Sequence, residues 1–466
     1  MHLGFETLGN ATLVFYENDR PILATDPWIE GTCYFGSWAL DRPLTEAERK
    51  SVIDAEYIWV SHGHPDHLHP DSLALLPKDK KFLLPDHYDP EIQNFIASQG
   101  FSVTVMPYRQ WHQLSRNIRC LCLDNENQDG MLVVEAGDSL IVNLNDSQLC
   151  GEERFLRKLI SQYDRPKTYV ASLCAIDADM INFIDSEGRR TIGGPDDRKL
   201  GMVWATARRI DKLGAGNFVA SASQHIYVRA DSIWANPYRV TWADVTKHWP
   251  RPHIGKVEPF CIVDLDTGKI HRKHPSQESG TYQITDATGE DDWSAHLSED
   301  EWGKVYAFFE RYETVRDHFD YFEFVVGGER RRIWIDPQAK GEPDSQLRGI
   351  GFHIPRNSLL ATVEYGFFDD VLIGNFMKTE LRNAALYPYF SPLVAKLGGA
   401  AKVYNEAERR RFKRRYFRRN PIGYMEWHLA QKIDALGDLV RNWAERFGVK
   451  RPLKRIYRRM IGDPVV

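Results

Sequence analysis

Short apolar runs separated by turn residues dominate the first half of the chain. They include ATLVFY at 11–16, PILATD at 21–26, YIWVSH at 57–62, KFLLPD at 81–86, IRCLCL at 118–123, MLVVEA at 131–136, SLIVNLND at 139–146 and NFVASAS at 217–223. Such runs, rich in Val, Ile, Leu and aromatics and bounded by Gly, Asp, Asn or Pro, read as strands. Helical patterns such as PEIQNFIASQG (90–100) and ERFLRKLISQY (153–163) fall between some of them. Many strands with interspersed helices predict a layered α/β sandwich.

From about residue 240 the texture changes. HWPRPHIGKVEP brings proline and charge, a helical EDEWGKVYAFFERYETVRDHF follows, and then a strand pair, YFEFVVGG and RRRIWIDP. The pattern divides the chain into a catalytic core over 1–245, an α+β extension over 246–400 that completes the fold and pocket, and a basic helical segment over 401–466. The polar stretch from Ala175 to Gly194 suits a lid between two strands.

Charge sharpens that division. The whole chain has 60 Lys and Arg against 65 Asp and Glu, so it is no nucleic-acid-binding polycation. Residues 401–466 nonetheless hold 18 Lys and Arg against 7 Asp and Glu, a net +11, leaving −16 for residues 1–400. Within this segment RRRFKRRYFRRNP and KRPLKRIYRRM interleave arginine with aromatics, a pattern suited to substrate phosphates, an acidic partner or an anionic surface. The bland alternative is a solvated helix packing its aromatics on the body. No apolar run approaches the roughly 18 residues that span a bilayer, and the start of the chain is mixed from the first residue, so a cytoplasmic protein is expected. The six cysteines form no CxxC pair and are expected to be buried thiols.

The chemistry concentrates at residues 58–69, where an apolar strand end runs into His62-Gly63-His64-Pro65-Asp66-His67. Three imidazoles and a carboxylate within six residues, delivered at a strand-to-helix turn, suit zinc, iron or manganese and point to a pair of metals. Asp146, ending the strand SLIVNLND, is the candidate bridging carboxylate, and His225, after the small residues of NFVASAS, is the candidate further histidine. HxHxDH after a strand is the metallo-β-lactamase signature, and it implies an αββα four-layer sandwich with the later residues as a C-terminal α+β extension. In that arrangement a further ligand lies just before the strand preceding the bridging aspartate, yet residues 123–131 read LDNENQDGM without a histidine. Glu126 is the ligand expected there, with Asn125, Asp129 or an open position as alternatives. An added carboxylate favours iron or manganese over zinc.

Beyond the superfamily, the chain resembles the catalytic part of CMP-N-acetylneuraminate hydroxylases. The resemblance rests on Thr7-Leu8-Gly9-Asn10-Ala11, Asp26-Pro27-Trp28-Ile29-Glu30-Gly31, the Trp59–Leu68 block, Leu144-Asn145-Asp146, and Phe367-Phe368-Asp369-Asp370-Val371-Leu372-Ile373-Gly374. Those hydroxylases carry a Rieske domain for which there is no room ahead of Asp26, so a separate electron donor is expected. A glutamate in place of a metal-binding histidine is also found in a diiron β-hydroxylase of chloramphenicol biosynthesis.

The resemblance implies a diiron oxygenase using O₂ and an external reductant on a polar, nucleotide- or carrier-linked small molecule. The rival reading is a hydrolase of a phosphodiester, lactone or amide, in which Asp66 serves as proton shuttle; a metal-stabilised scaffold is a third. Near the last ligand, Tyr227 is placed to donate to a developing oxyanion, and Arg229 is a candidate substrate anchor, against a salt bridge to Asp231.

Overall fold

The computed structural model describes residues 1–446 apart from 176–181, 223, 273–287 and 289, and for 434–446 the helical backbone alone. The predicted strands pair into two mixed sheets. In the first, eight strands run in the order Ile270–Arg272, Cys261–Asp264, Leu3–Leu8, Thr12–Glu17, Arg20–Thr25, Tyr57–Trp59, Lys81–Pro85 and Ser102–Met106. The first five are antiparallel, and the last three continue parallel to Arg20–Thr25. The second sheet has seven strands, from Gly255–Val257 through Asn217–Ser221, Thr168–Leu173, Ser139–Asn145, Met131–Ala136 and Ile118–Leu123 to His112–Gln113.

The alternation of side chains explains the layering. Phe5, Phe15, Leu23, Trp59 and Leu83 of the first sheet meet Cys120, Leu132, Val134, Ile141 and Val219 of the second in one core between the sheets. The outer face of the first sheet packs on Val52, Leu73 and Ile96 of the helices on its side, and on Leu44 just before the first of them. The outer face of the second packs on Leu156, Ile160, Val203 and Ile210. Helix, sheet, sheet, helix is the four-layer order the sequence predicts. All six cysteines are buried and free.

The boundary at 245 shifts. Strands Gly255–Val257 and Ile270–Arg272 are edges of the two sheets, so the sandwich reaches past residue 270. The extension then builds its own five-stranded sheet around Tyr321–Val326, Glu329–Trp334, Gly349–His353 and Lys378–Arg382, over a phenylalanine-rich core of Phe309, Phe322, Phe324, Phe352, Phe368 and Phe390. Its first strand, Phe183–Ile184, comes from the stretch read as a lid, so that part of the stretch is sheet; residues 176–181 lie outside the described residues.

In the basic segment, Asn405 and Glu408 form a capping box that starts the helix Glu406–Arg419, whose Phe412 and Tyr416 are buried. This helix is therefore part of the body, and a second helix, Pro421–Arg446, follows it. KRPLKRIYRRM lies outside the described residues. No described helix is long and apolar enough to cross a membrane.

Phe15 is fully buried between the two sheets. Phe15→Ala is expected to lower stability by about 3–5 kcal/mol through lost burial and an unfilled cavity, read as a shift in the denaturant midpoint.

Candidate metal centre

The chemical residues gather where parallel strands end, the usual location of sites in open α/β sheets. Asp26 follows Arg20–Thr25, Ser61 to His67 follow Tyr57–Trp59, His87 follows Lys81–Pro85, and Asp146 follows Ser139–Asn145. Two of these strand ends hold non-glycine residues at positive φ, Asp26 (42°) and Asn145 (41°), as does the nearby Tyr34 (51°). Such strain persists only where surrounding contacts over-determine it. Here Asp26 Oδ1 accepts from Ser61 N at 2.7 Å, and Asn145 Nδ2 donates to Gly130 O at 2.8 Å.

Two donor groups result, each with ligand atoms within 4.8 Å of one another: His62, His67 and Asp146, and His64, Asp369 and Asp370. His62 Nε2 and His64 Nδ1 join the groups at 2.8 Å. His67 Nε2 lies 3.3 Å from both Asp66 Oδ2 and Asp146 Oδ2, while its Nδ1 faces Asp26 Oδ2 at 3.2 Å. A carboxylate behind the ring fixes orientation and leaves the other nitrogen for a cation. Asp369 does the same for His64, whose Nε2 donates to Asp369 Oδ2 at 3.1 Å. Asp66 is clamped by Asn10 Nδ2 at 2.6 Å and by the Tyr34 hydroxyl.

The electrostatics follow from crowding acids in a buried place. Burial pulls His67 down, but Asp66, Asp146 and Asp26 together hold it well above its ordinary value. Burial likewise opposes His64, which Asp369 raises to about 9. Asp370, buried beside Asp369 and Asp66, is pushed up to about 8 despite His64. His62 is driven down by burial and by His67 and His64.

Buried carboxylates outnumber the cations near them, and several donor atoms are unspent. Asp146 Oδ1, Asp370 Oδ1 and His225 Nδ1 are buried without hydrogen-bond partners. Unsatisfied buried donors and acceptors are rare unless something binds them. The residues fit a pair of metal cations.

His225 stacks flat on Trp38 at 3.4 Å between centroids. Gln224 N is tied to Asn10 Oδ1 at 3.0 Å, the same Asn10 that holds Asp66, so the strand His225–Tyr227 is moored beside the cluster, although His225 is in neither donor group. Burial and Arg239 press it down to about 3, keeping the ring neutral as a metal ligand must be. The Tyr227 hydroxyl accepts from Asn375 Nδ2 at 2.9 Å, and its ring stands edge-on to His225.

Glu126 and Arg229 make contacts other than those expected of a metal ligand and a substrate anchor. The Glu126 carboxylate is turned away, accepting from Trp427 Nε1 at 3.0 Å and meeting His428 Nε2 at 3.1 Å. Its alternatives are also spent: Asn125 Nδ2 donates to Asp129 O and Ser147 Oγ, and Asp129 pairs with Lys396 at 2.9 Å. The whole 124–126 turn faces a polar cleft lined by Tyr416, Arg419 and Tyr424 of the C-terminal helices. Arg229 forms the salt bridge to Asp231 that was the alternative to a substrate anchor. It is 1% exposed and pairs with Asp231 at 2.8 Å and Asp291 at 2.9 Å, over the ring of Phe376.

Sequence reasoning missed Asn10, Asp26 and Tyr34 as supports and Asp369 and Asp370 as donors. Four of these five were visible as motif letters in GNA, DPW and FDDVLIG, but nothing in the sequence said that they meet His64, His67 and Asp66. His87, whose Nε2 donates to Ser61 O at 3.0 Å, carried no motif at all.

Fold and donor set together define a four-layer sandwich of metallo-β-lactamase architecture carrying a candidate metal centre. No family model matches the chain. It is 25% identical over 285 residues to the cytidine monophosphate-N-acetylneuraminic acid hydroxylase of Cricetulus griseus, covering 56% of this chain and 48% of that protein. It is 31% identical over 96 residues to a protein of Mycolicibacterium smegmatis named for a Rieske 2Fe-2S centre, covering 20% of this chain and 18% of that one. The chain thus matches less than half the length of these curated relatives.

Solved structures similar to it include an isothiocyanate hydrolase from Delia radicum gut bacteria, 16% identical over 55% of this chain and 96% of that one, with a TM-score of 0.38. A CmlA beta-hydroxylase variant is 13% identical over 55% and 52%, with a TM-score of 0.37.

Asp369→Ala removes the carboxylate that turns His64, and is expected to weaken metal binding roughly 10- to 100-fold by titration calorimetry, whereas Glu126→Gln should leave it unchanged. Arg229→Gln removes the buried cation shared by Asp231 and Asp291 and is expected to destabilise the protein by about 3 kcal/mol in denaturant unfolding, with metal content retained.

Proposed function

We propose that the centre holds two iron ions and serves an oxygenase that hydroxylates a polar small molecule, drawing electrons from a separate donor. The observation that carries this reading is the oxygen-rich donor set: Asp146, Asp369 and Asp370 beside His62, His64 and His67, with Asp66 and His225 adjoining it. Hard carboxylate oxygens favour iron or manganese over zinc, which is best served by nitrogen and sulfur. The hydroxylase name of the Cricetulus griseus relative supports the same reaction class. When bound, the metals would supply redox equivalents for activating O₂.

The chain's own residues do the rest. Asp26 and Asp369 orient His67 and His64, so the imidazoles present fixed nitrogens without reorganising. Asn10 and Tyr34 engage both oxygens of Asp66, which fixes the carboxylate in place and leaves it poorly suited to carry protons as a free shuttle. The Trp38 face over His225 and the buried Tyr227 keep bulk water from that side of the centre.

The test is metal analysis and oxygen uptake on the full chain purified from iron-supplemented cells. The expected result is about two irons per chain and O₂ consumption after chemical reduction. Two zincs, together with turnover of a lactone or phosphodiester probe without reductant, would overturn the oxygenase in favour of a hydrolase.

A further inference from the structure

The exposed apolar side chains of this protein are not scattered. Ile422, Met425, Leu429 and Ile433 are each 60–62% exposed and fall at steps of three, four and four along the helix Pro421–Arg446, which places them on one stripe. In the sequence the same spacing continues at Leu436, Val440 and Trp443. The opposite face of this helix is the docked one: Gly423 lies against the backbone of Gly151, and Trp427 and His428 bond Glu126. The stripe therefore points away from the body.

The preceding helix adds charge. Phe412 and Tyr416 face inward, and Arg415 and Arg419 are spent on Asp86 and Asp124. Arg410, Arg411, Arg414 and Arg418 are on the outer side, exposed, with no ion pair among the described residues, and Phe417 among them is 42% exposed. An exposed apolar stripe next to an unpaired arginine face is the composition of helices that lie in the plane of a membrane surface, apolar side in the acyl boundary and cations on the headgroups.

We infer that the two C-terminal helices form a peripheral docking surface for an anionic phospholipid bilayer. Charge selects this occupant. Residues 1–400 carry a net −16 and are repelled by such a surface, so attraction is confined to the +11 segment and orients the protein with that end toward the lipid. A second copy pairing this same face with itself would bring a like-charged arginine face against the first. The inference rests on neither the metal pair nor the reaction.

The experiment is cosedimentation of the full chain with vesicles of phosphatidylcholine alone or mixed with phosphatidylglycerol, at low and high salt. Binding is expected only to the mixed vesicles. It should fall at least about tenfold in high salt, in the combined Arg410→Glu, Arg411→Glu, Arg414→Glu, Arg418→Glu variant, and in the combined Ile422→Ser, Met425→Ser, Leu429→Ser, Ile433→Ser variant. All substituted side chains are exposed, so thermal unfolding should be unchanged. Absence of binding to the mixed vesicles, or equal binding to both kinds, overturns the inference. So does a concentration-dependent dimer in light scattering that the serine variant abolishes while the vesicles stay unbound.

Discussion

The structure turns on a concentration of buried negative charge. Asp26, Asp66, Asp146, Asp369 and Asp370 crowd around three imidazoles at one end of the sandwich, and Asp26, Asp66 and Asp369 are at most 6% exposed. Carboxylates removed from water are unfavourable unless a cation and hydrogen bonds compensate them. Protons on His64 and His67 meet part of that demand, and metal cations would meet it more fully. Each carboxylate comes from a different strand end or from the extension. The register of both sheets is therefore a condition of the centre, and the positive-φ turns at Asp26 and Asn145 mark where the backbone is held to satisfy it.

Arg229 shows how the extension is fastened to this core. Its guanidinium ties Asp231 of the core to Asp291 of the extension, donates to Phe35 O at 3.0 Å, and covers Phe376 just beyond the FDDVLIG motif. Around it, Ser37 Oγ donates to Gly374 O, Trp234 Nε1 donates to Asn375 O, and Asn375 Nδ2 donates to the Tyr227 hydroxyl. The residues near His225 that suggested a substrate pocket are the socket that holds the segment carrying Asp369 and Asp370. A buried, fully paired arginine cannot recognise substrate, but it can fix the position of the helix that brings two donors to His64.

How legible this was depended on range. Short apolar runs between turn residues made the strands readable, and the strand-to-turn placement of His62, His64 and His67 made the cluster readable, because both are local properties of the chain. The failures are all non-local. Glu126 suited a ligand by its distance from Asp146 along the chain, but its carboxylate is claimed by Trp427 and His428, three hundred residues away. The boundary at 245 followed a change of texture, yet the sheets still needed edge strands from 255–272, and hydrophobic pattern alone does not say which sheet a short strand joins. Asp369 and Asp370 stood in plain view as a motif without an address.

That address changes what the missing histidine means. With Asn125, Glu126 and Asp129 all engaged elsewhere, the oxygen donors beside His64 come from residues 369 and 370, and Lys396, held charged by Asp129 and Asp369 against its burial, adds a positive charge that acts on His62 and His64. A core ending near residue 245 would contain His62, His67 and Asp146 but lack both the carboxylates of the second group and the lysine that modulates it. The extension thus supplies two of the three side chains of the second candidate donor group. A donor group formed by His64 of the core with Asp369 and Asp370 of the extension would tie metal binding to the docking of one half of the protein on the other.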